Sequence, residues 1–327
     1  MKLARRQFLL LAAGAAALLA VSRIARAQAY PSRPVRVIAP FAAGSATDVI
    51  ARLITQKLSE KLARQFYVEN IGGANGNIGI ARAAQAQPDG YTILIASTNL
   101  SINPALYRKT PYDPNKDFDP LTLAVTTSVV LAVNPSVPAR TVKDLTALVK
   151  AHPGRYTYAS GGGIGSPGHL VGEQFRLSLG LDLVHVPFNG ANLAIGSTVS
   201  GHTPICFAAP TPALPLIKDA KLRALAGTGR TRLRALPDMP TMAEAGYPDI
   251  EFENWFGFLV PAGTPKEIGT LLNHEIIAII ALPDVKERLS ELAFDPVGST
   301  AEEMATRLRL DIEKWAKVIR ASNIKPE

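Results

Sequence analysis

Two loops of one design, the first opening at Phe41 and the second at Ser160, constrain this chain more than any other feature. Phe41-Ala42-Ala43-Gly44-Ser45-Ala46-Thr47-Asp48 follows the strand-like run Val35–Pro40 and opens a helix. Ser160-Gly161-Gly162-Gly163-Ile164-Gly165-Ser166 follows Tyr156-Thr157-Tyr158-Ala159 and opens another. A helix start exposes unpaired N–H groups and a partial positive charge, so it can hold a carboxylate or a phosphate. Glycine lets the backbone approach the anion, and serine and threonine add hydroxyl donors. Each loop alone is also an ordinary strand–helix turn. Together they suggest one anionic ligand gripped from two sides.

The amino terminus reads as an export signal. Lys2, Arg5 and Arg6 precede the apolar run Phe8–Val21, and the small-x-small site Ala25-Arg26-Ala27 comes before Gln28. That order is a basic region, an apolar core too short for a comfortable span, and a cleavage site. Arg5-Arg6-Gln7-Phe8-Leu9-Leu10 also looks like a twin-arginine signal, although the general export route accepts the same charges. Residues 1–27 hold five of the 35 Lys and Arg and no acidic residue, leaving thirty basic against 27 acidic side chains, a formal +3. The basic residues are scattered rather than striped, so no nucleic-acid partner is expected. The single cysteine, Cys206, sits in the apolar stretch Ile205–Ala209 and is expected to be buried packing.

Strand-like and helix-like segments alternate from there. Val49, Ile50, Leu53, Ile54, Leu58 and Leu62 carry a helical period after the first loop; Phe66–Asn70 reads as a strand; Gly72–Asn77 turns into a helix over Ile78–Ala86; and Tyr91–Ala96 is a strand ending in the polar tip Ser97-Thr98-Asn99. This βαβαβ rhythm implies an α/β chain with a parallel sheet, its ligand beyond the carboxyl ends of the strands. A second series runs from the strand Val129–Val133 through a helix near 142–151, the second loop, a helix near 168–179, a strand at 183–186, a helix near 191–200, and strands at 204–208 and 222–226. The chain returns through Glu251–Phe258, and three helices finish it, near 266–280, 284–292 and 301–319, expected to cover the first lobe. Crossings near 121–129 and 251–259 would form a hinge.

Several catalytic patterns fail on inspection. Gly163-Ile164-Gly165-Ser166-Pro167-Gly168 fits G-x-G-x-x-G, but the next strand ends in Pro187-Phe188-Asn189 with no acidic residue, against a dinucleotide. Ser166 has Ile164 where a nucleophile elbow needs glycine. His169, three residues on, has no assigned orienting acid, so it reads as structural. The five histidines show no ligand spacing. No metal or organic cofactor is expected, and the missing catalytic set favours binding over turnover. Asp48 complements the helix dipole and could orient its loop. Phe188-Asn189-Gly190 begins another helix at the same edge, and Trp255 and Phe256 read as hinge or core aromatics.

Read in order, these segments resemble the extracytoplasmic solute-binding receptors of tripartite tricarboxylate transporters, the Bug family. The marks include Tyr30-Pro31-Ser32-Arg33-Pro34-Val35-Arg36, Pro40-Phe41 with Gly44 and Thr47-Asp48, Val68-Glu69-Asn70 with Gly76-Asn77-Ile78-Gly79, and Pro88-Asp89-Gly90-Tyr91-Thr92. Later ones are Ile102–Tyr107, Pro111–Pro114, Val184–Phe188, Leu236–Thr241 and Pro261–Pro265. The resemblance implies a two-lobed periplasmic binding protein of the Venus-flytrap, type II-like kind, with its ligand cleft between the lobes. Residues 28–128 with 253–327 would form lobe 1 and residues 129–252 lobe 2.

It implies further that a small carboxylate is pinched between Phe41, Gly44, Ser45, Ala46, Thr47 and Asp48 on one side and Ser160, Gly161, Ile164, Gly165 and Ser166 on the other. Ser97, Thr98, His169, Phe188 and Ala208 complete the expected site. The partners would be membrane transporter subunits, the location the periplasm, and the protein a monomer. Three departures stand out. The first loop has Ala43-Gly44-Ser45-Ala46 where the family often pairs glycines. The second carries an additional glycine, so residue correspondence there is open by one position. Ala208 follows Phe207 where many relatives carry Asp, which disfavours an amino acid ligand and favours a mono- or dicarboxylate with an aliphatic or aromatic body. Two other functions remain open: an exported hydrolase acting on a carboxylate ester in the same cleft, and an accessory receptor presenting its ligand to a sensor.

Overall fold

The computed structural model describes residues 30–322 and 324. The export signal expected over residues 1–27 lies outside them. Two sheets form, each flanked by helices on both faces. The first begins as the rhythm requires, with β1 (Val35–Ala39), helix α1 (Ala46–Leu62), β2 (Phe66–Asn70), a single 3-10 turn at Ala74–Gly76, α2 (Asn77–Ala84) and β3 (Thr92–Ser97). β2 and β3 both run parallel to β1. Then come α3 (Asn99–Leu106) and the eleven-residue β4 (Phe118–Ser128), which leads directly into β5 (Val130–Val133) of the other sheet.

The second sheet uses α4 (Val142–Ala151), β6 (Tyr156–Gly161), α5 (Pro167–Ser178), β7 (Leu183–Phe188), α6 (Ala191–Val199), β8 (Ile205–Ala208), α7 (Pro210–Lys218) and β9 (Arg223–Gly227). The chain returns through β10 (Glu253–Pro261) and finishes with α8 (Lys266–Ile280), α9 (Pro283–Glu291), the short β11 (Asp295–Pro296) and α10 (Ala301–Ala321). The strand orders are β11-β4-β10-β3-β1-β2 and β7-β6-β8-β5-β9. Neither sheet is wholly parallel, as the rhythm alone had implied. β3 pairs antiparallel with β10, β10 with β4, and β5 with both β8 and β9. β10 and β5, the strands by which the chain enters each sheet from the other, run against their neighbours, and the βαβ pattern carries no information about them.

Alternate residues of each strand feed opposite cores, the period of a pleated strand. Val37, Ile93, Ile95 and Phe258 pack with α1, α8 and α9; Ile38, Leu94, Trp255 and Leu259 pack with Ile80, Met304 and Leu308 on the other face. In the second sheet Leu131, Tyr158 and Phe207 face Leu145, Leu170 and Phe175, while Ala132, Ala159 and Cys206 face Ala194, Ile195 and Ala213. Cys206 is buried there, and burial pushes its thiol up to about 12. The tail helices cover the first sheet, with one extension. A 21-residue helix is about 30 Å long, and Trp315 and Ile319 near the far end of α10 join the second sheet's core beside Phe252 and Ile250.

The two crossings lie side by side. Glu253 pairs with Ser128 and the ladder runs on to Pro261 with Phe118. Buried Thr228 ties them together. Its N–H donates to the Val129 carbonyl (3.0 Å), its carbonyl accepts from Phe252 N (2.9 Å), and its hydroxyl accepts from Val129 N (2.9 Å) and donates to the Phe252 carbonyl (2.8 Å).

Candidate functional site: an uncharged cavity between the two sheets

The first loop forms as its chemistry demands. Gly44 takes φ +80, a conformation that favours glycine. Ser45 caps α1, its Oγ accepting from Asp48 N at 3.4 Å. Behind the loop, Asp48 Oδ2 accepts from Gly44 N (2.9 Å) and Arg52 Nε (3.1 Å). Arg52 Nη2 donates to Asn70 Oδ1 (3.2 Å), and Asn70 Nδ2 to the Phe41 carbonyl (3.1 Å). A bracket of three side chains thus grips the loop at both ends. Burial alone would raise the Asp48 carboxyl, but the bonds from Arg52 and Gly44 hold it below the usual carboxylate range.

The second loop is pinned from the neighbouring strand. Gly162 (φ +99) and Gly163 (φ +77) both donate to the Phe188 carbonyl, at 2.9 and 3.0 Å. Gly161 needs hydrogen for another reason: a Cβ there would lie 2.4 Å from Ala191 Cα, at the start of α6. Pro167 takes the first position of α5, where its missing N–H costs nothing.

Between the sheets these loops enclose a cavity of about 400 Å³. Five helix starts reach its wall: Ser45-Ala46-Thr47 of α1, Asn99 of α3, Ser166-Pro167-Gly168 of α5, Ala191 of α6, and Ala209-Pro210 of α7. Among the described residues, no Lys, Arg, His, Asp or Glu lines it. The first-sheet side is polar, with Asn75, Ser97, Asn99, Thr127, Ser128 and Asn254; the second-sheet side is largely apolar, with Ala194, Ile195, Phe207 and Ala208. A neutral ladder stiffens the polar side. Ser97 Oγ donates to Asn99 Oδ1 (3.0 Å), Asn99 Nδ2 to Asn75 Oδ1 (2.6 Å), Asn75 Nδ2 to Asn103 Oδ1 (3.0 Å), and Asn103 Nδ2 to Asn77 Oδ1 (2.8 Å). Such a wall can hold an anion through aligned dipoles and hydroxyls rather than a counter-ion.

Of the sixteen residues expected from the sequence, Phe41, Ser45, Ala46, Thr47, Ser97, Gly161, Ser166 and Ala208 line this cavity. The other eight stand behind it. Asp48 belongs to the bracket just described, and Gly44 is the N–H that it holds. Thr98 is wholly buried beneath the crossing, its Oγ1 donating to Asn254 Oδ1 (2.8 Å) and accepting from Trp255 N (3.1 Å). Gly165 packs on Leu106, where a Cβ would clash at 2.2 Å, and Ile164 points outward. Phe188 contributes its carbonyl as the loop's anchor. His169 Nδ1 accepts from Gly165 N (2.9 Å) and its ring stacks on His185 at 4.0 Å. Trp255 is core, bonded to Asp311 Oδ2 through Nε1 (2.7 Å), while its neighbour Phe256 lines the cavity.

One pair was not foreseen. Ser160 Oγ lies 2.7 Å from His185 Nε2 and 3.4 Å from Ser166 Oγ. Ser160 is fully buried behind Ser166, so nothing in the cavity can reach its oxygen. Burial and the adjacent His169 ring push the His185 imidazole down to about 3, and burial lowers His169 as well. The nearby carboxylate, Glu173, is engaged by Tyr158 OH (2.9 Å) and Arg176 (2.7 Å) rather than by either ring. An orienting acid on the histidine, which a catalytic triad requires, is missing from this arrangement.

The comparisons agree on one family. The model described as "tripartite tricarboxylate transporter family receptor" matches residues 50–324. The chain belongs to that receptor family. A Pseudomonas protein from the tcbD-tcbE intergenic region is 36% identical over 299 residues, covering 91% of this chain and 89% of its own length. A Rhodopseudomonas palustris protein solved with adipate has 32% identity and a TM-score of 0.81, covering 91% of this chain and all of that one (100%). MatC of Rhodopseudomonas palustris, solved with bound malate, has 30% identity and a TM-score of 0.76, covering 89% of this chain and 100% of that one. The two-lobed fold of periplasmic solute-binding proteins follows from these likenesses. Several wall residues of this receptor were not anticipated from the sequence, Asn75, Asn254 and Phe256 among them. The positive φ of Asn75 (+54) marks a turn whose Gly-Gly-Ala-Asn-Gly sequence was the available signal.

Proposed function

We propose that this receptor captures a small carboxylate in the periplasm by closing two lobes on it, and delivers it to a tripartite tricarboxylate-type membrane transporter. The observation that carries this reading is the uncharged cavity ringed by helix starts. A carboxylate is stabilised there by backbone N–H groups and by Ser45, Thr47 and Ser166, with waters bridging the longer spans at little cost. The adipate and malate held by the two Rhodopseudomonas relatives support a carboxylate here. The lobes are taken as residues up to 128 with 253 onward, and 129–252, hinged where Thr228 ties β4 to β10. Binding without turnover fits the inaccessible Ser160 and the engaged Glu173. Export by the signal in residues 1–27 and action as a monomer complete the proposal.

A thermal-shift screen of residues 28–327 against mono-, di- and tricarboxylates, aromatic acids and amino acids tests it. A ligand that favours the folded state adds about 2.7 kcal/mol of stability at one hundred times Kd. The expected result is a shift with one acid class and no ligand consumed. Consumption of the ligand, or no shift with any acid in protein freed of co-purified ligand, would overturn the reading.

A further inference from the structure

The cavity does not end at its apolar wall. A second chamber of about 490 Å³ adjoins it, and four residues, Ser45, Ala46, Ala191 and Ala209, line both. Three of the four are alanine, so only small side chains stand between the two spaces. Beyond them the walls are Val49, Leu193, Pro212, Leu292 and Phe294, and among the described residues no charged side chain lines the chamber. Its rim is bridged where Thr211 Oγ1 donates to the Leu292 carbonyl at 2.6 Å. The donors are unevenly distributed too. Pro210 and Pro212 remove two of the first N–H groups of α7, whereas α1 keeps the N–H groups of Ala46 and Thr47 and adds the Ser45 and Thr47 hydroxyls.

We propose that the ligand is a monocarboxylate with an extended apolar chain: its carboxylate sits among the starts of α1 and α5, and its chain runs past Ala46, Ala191 and Ala209 into the outer chamber. This rests on the carboxylate-receptor reading and narrows it. A second carboxylate at the chain's far end would leave water for a space with no cation, an unfavourable transfer. Each methylene added inside the chamber should instead tighten binding by about fourfold.

The test is calorimetric titration of ligand-free protein with straight-chain monocarboxylates from butanoate to decanoate and with dicarboxylates of matched length, for the native chain and for Leu193→Asp. Leu193 is 61% exposed at the third position of α6, where an acidic residue suits the helix start, so the variant keeps its fold. The expected result is affinity that climbs with chain length for monocarboxylates, lags for dicarboxylates, and loses its climb in Leu193→Asp, the ratio of decanoate to butanoate affinity falling toward one. Flat length dependence, dicarboxylates tighter at every length, or an equal loss for short and long acids in the variant would overturn the extended-chain proposal alone. No binding of any acid would overturn the receptor reading as well.

Discussion

Replacing Asp48 by alanine isolates how much of the site's affinity is preorganisation. The carboxylate does not line the cavity, so its removal deletes no ligand contact. What it deletes is one end of the bracket: the bond from Gly44 N at 2.9 Å and the pairing with Arg52 at 3.0–3.1 Å. Hydrogen bonds to a charged group contribute about 1.5–3 kcal/mol each. Gly44 is exposed and Arg52 more than half exposed, so water recovers part of that. A net loosening of about 1–2 kcal/mol remains, and it falls on the loop that carries Ser45 and Thr47. Binding to a site ordered only part of the time weakens by the fraction ordered, so Kd should rise about 5- to 30-fold. Calorimetry at pH 7.5 with the tightest acid from the screen measures it. Asp48→Asn keeps an acceptor for Gly44 N and should fall between the two. A Kd for Asp48→Ala within twofold of the native value would refute the idea that this bracket prepares the loop.

Two further outcomes are expected. His169 and His185 are both held below the ordinary 6.5 in the folded chain, so their neutral forms contribute stability that is complete above pH 6.5 and is lost as pH falls below it; unfolding free energies from urea titrations should drop between pH 6.5 and 5 by up to about 1.4 kcal/mol per pH unit per histidine, and His185→Asn should flatten that slope. Thr228→Val deletes the hydroxyl shared by both crossings and strands the buried Val129 N–H and Phe252 carbonyl, each worth about 1–3 kcal/mol when unsatisfied, so denaturant midpoints should fall well below those of Thr228→Ser, and equal midpoints would show that the hydroxyl does not stitch the hinge.

What could be read from the sequence was local, and what escaped was long-range. The loops at Phe41–Asp48 and Ser160–Ser166 obey short-range rules, strand then glycine and serine then helical period, and they form as those rules imply. α7 escaped because Pro210, Pro212 and Pro215 look like a loop, although Pro210 and Pro212 fall in the first turn, which tolerates proline, and the helix continues past Pro215. β4 escaped because Leu121 through Ser128 is buried on both faces and shows no alternation. Ser160 meets His185 only because β6 and β7 pair in parallel with Tyr158 opposite His185, a register that nothing in either segment specifies. The asparagine ladder joins two stretches, 75–77 and 97–103, that no short motif connects.

The same distinction bears on how the site holds an anion. A charged side chain in the wall would have been legible, and would bind more tightly at the cost of burying that charge whenever the cleft is empty. Here the donors are backbone groups at helix starts, each end contributing about 0.3–1 kcal/mol, up to about 2 where partly buried. A few such ends, with the serine and threonine hydroxyls and bridging waters, offset part of the loss of water around a carboxylate. On the proposed mode of binding, the remaining affinity comes from covering apolar surface and from lobe closure, and the small residues Ala46, Ala191, Ala208 and Ala209 in the cavity wall set the room for the ligand's body. A receptor built this way selects by the shape of what is attached to the carboxylate, and it can release its ligand when the lobes part, because no buried ion pair has to be broken.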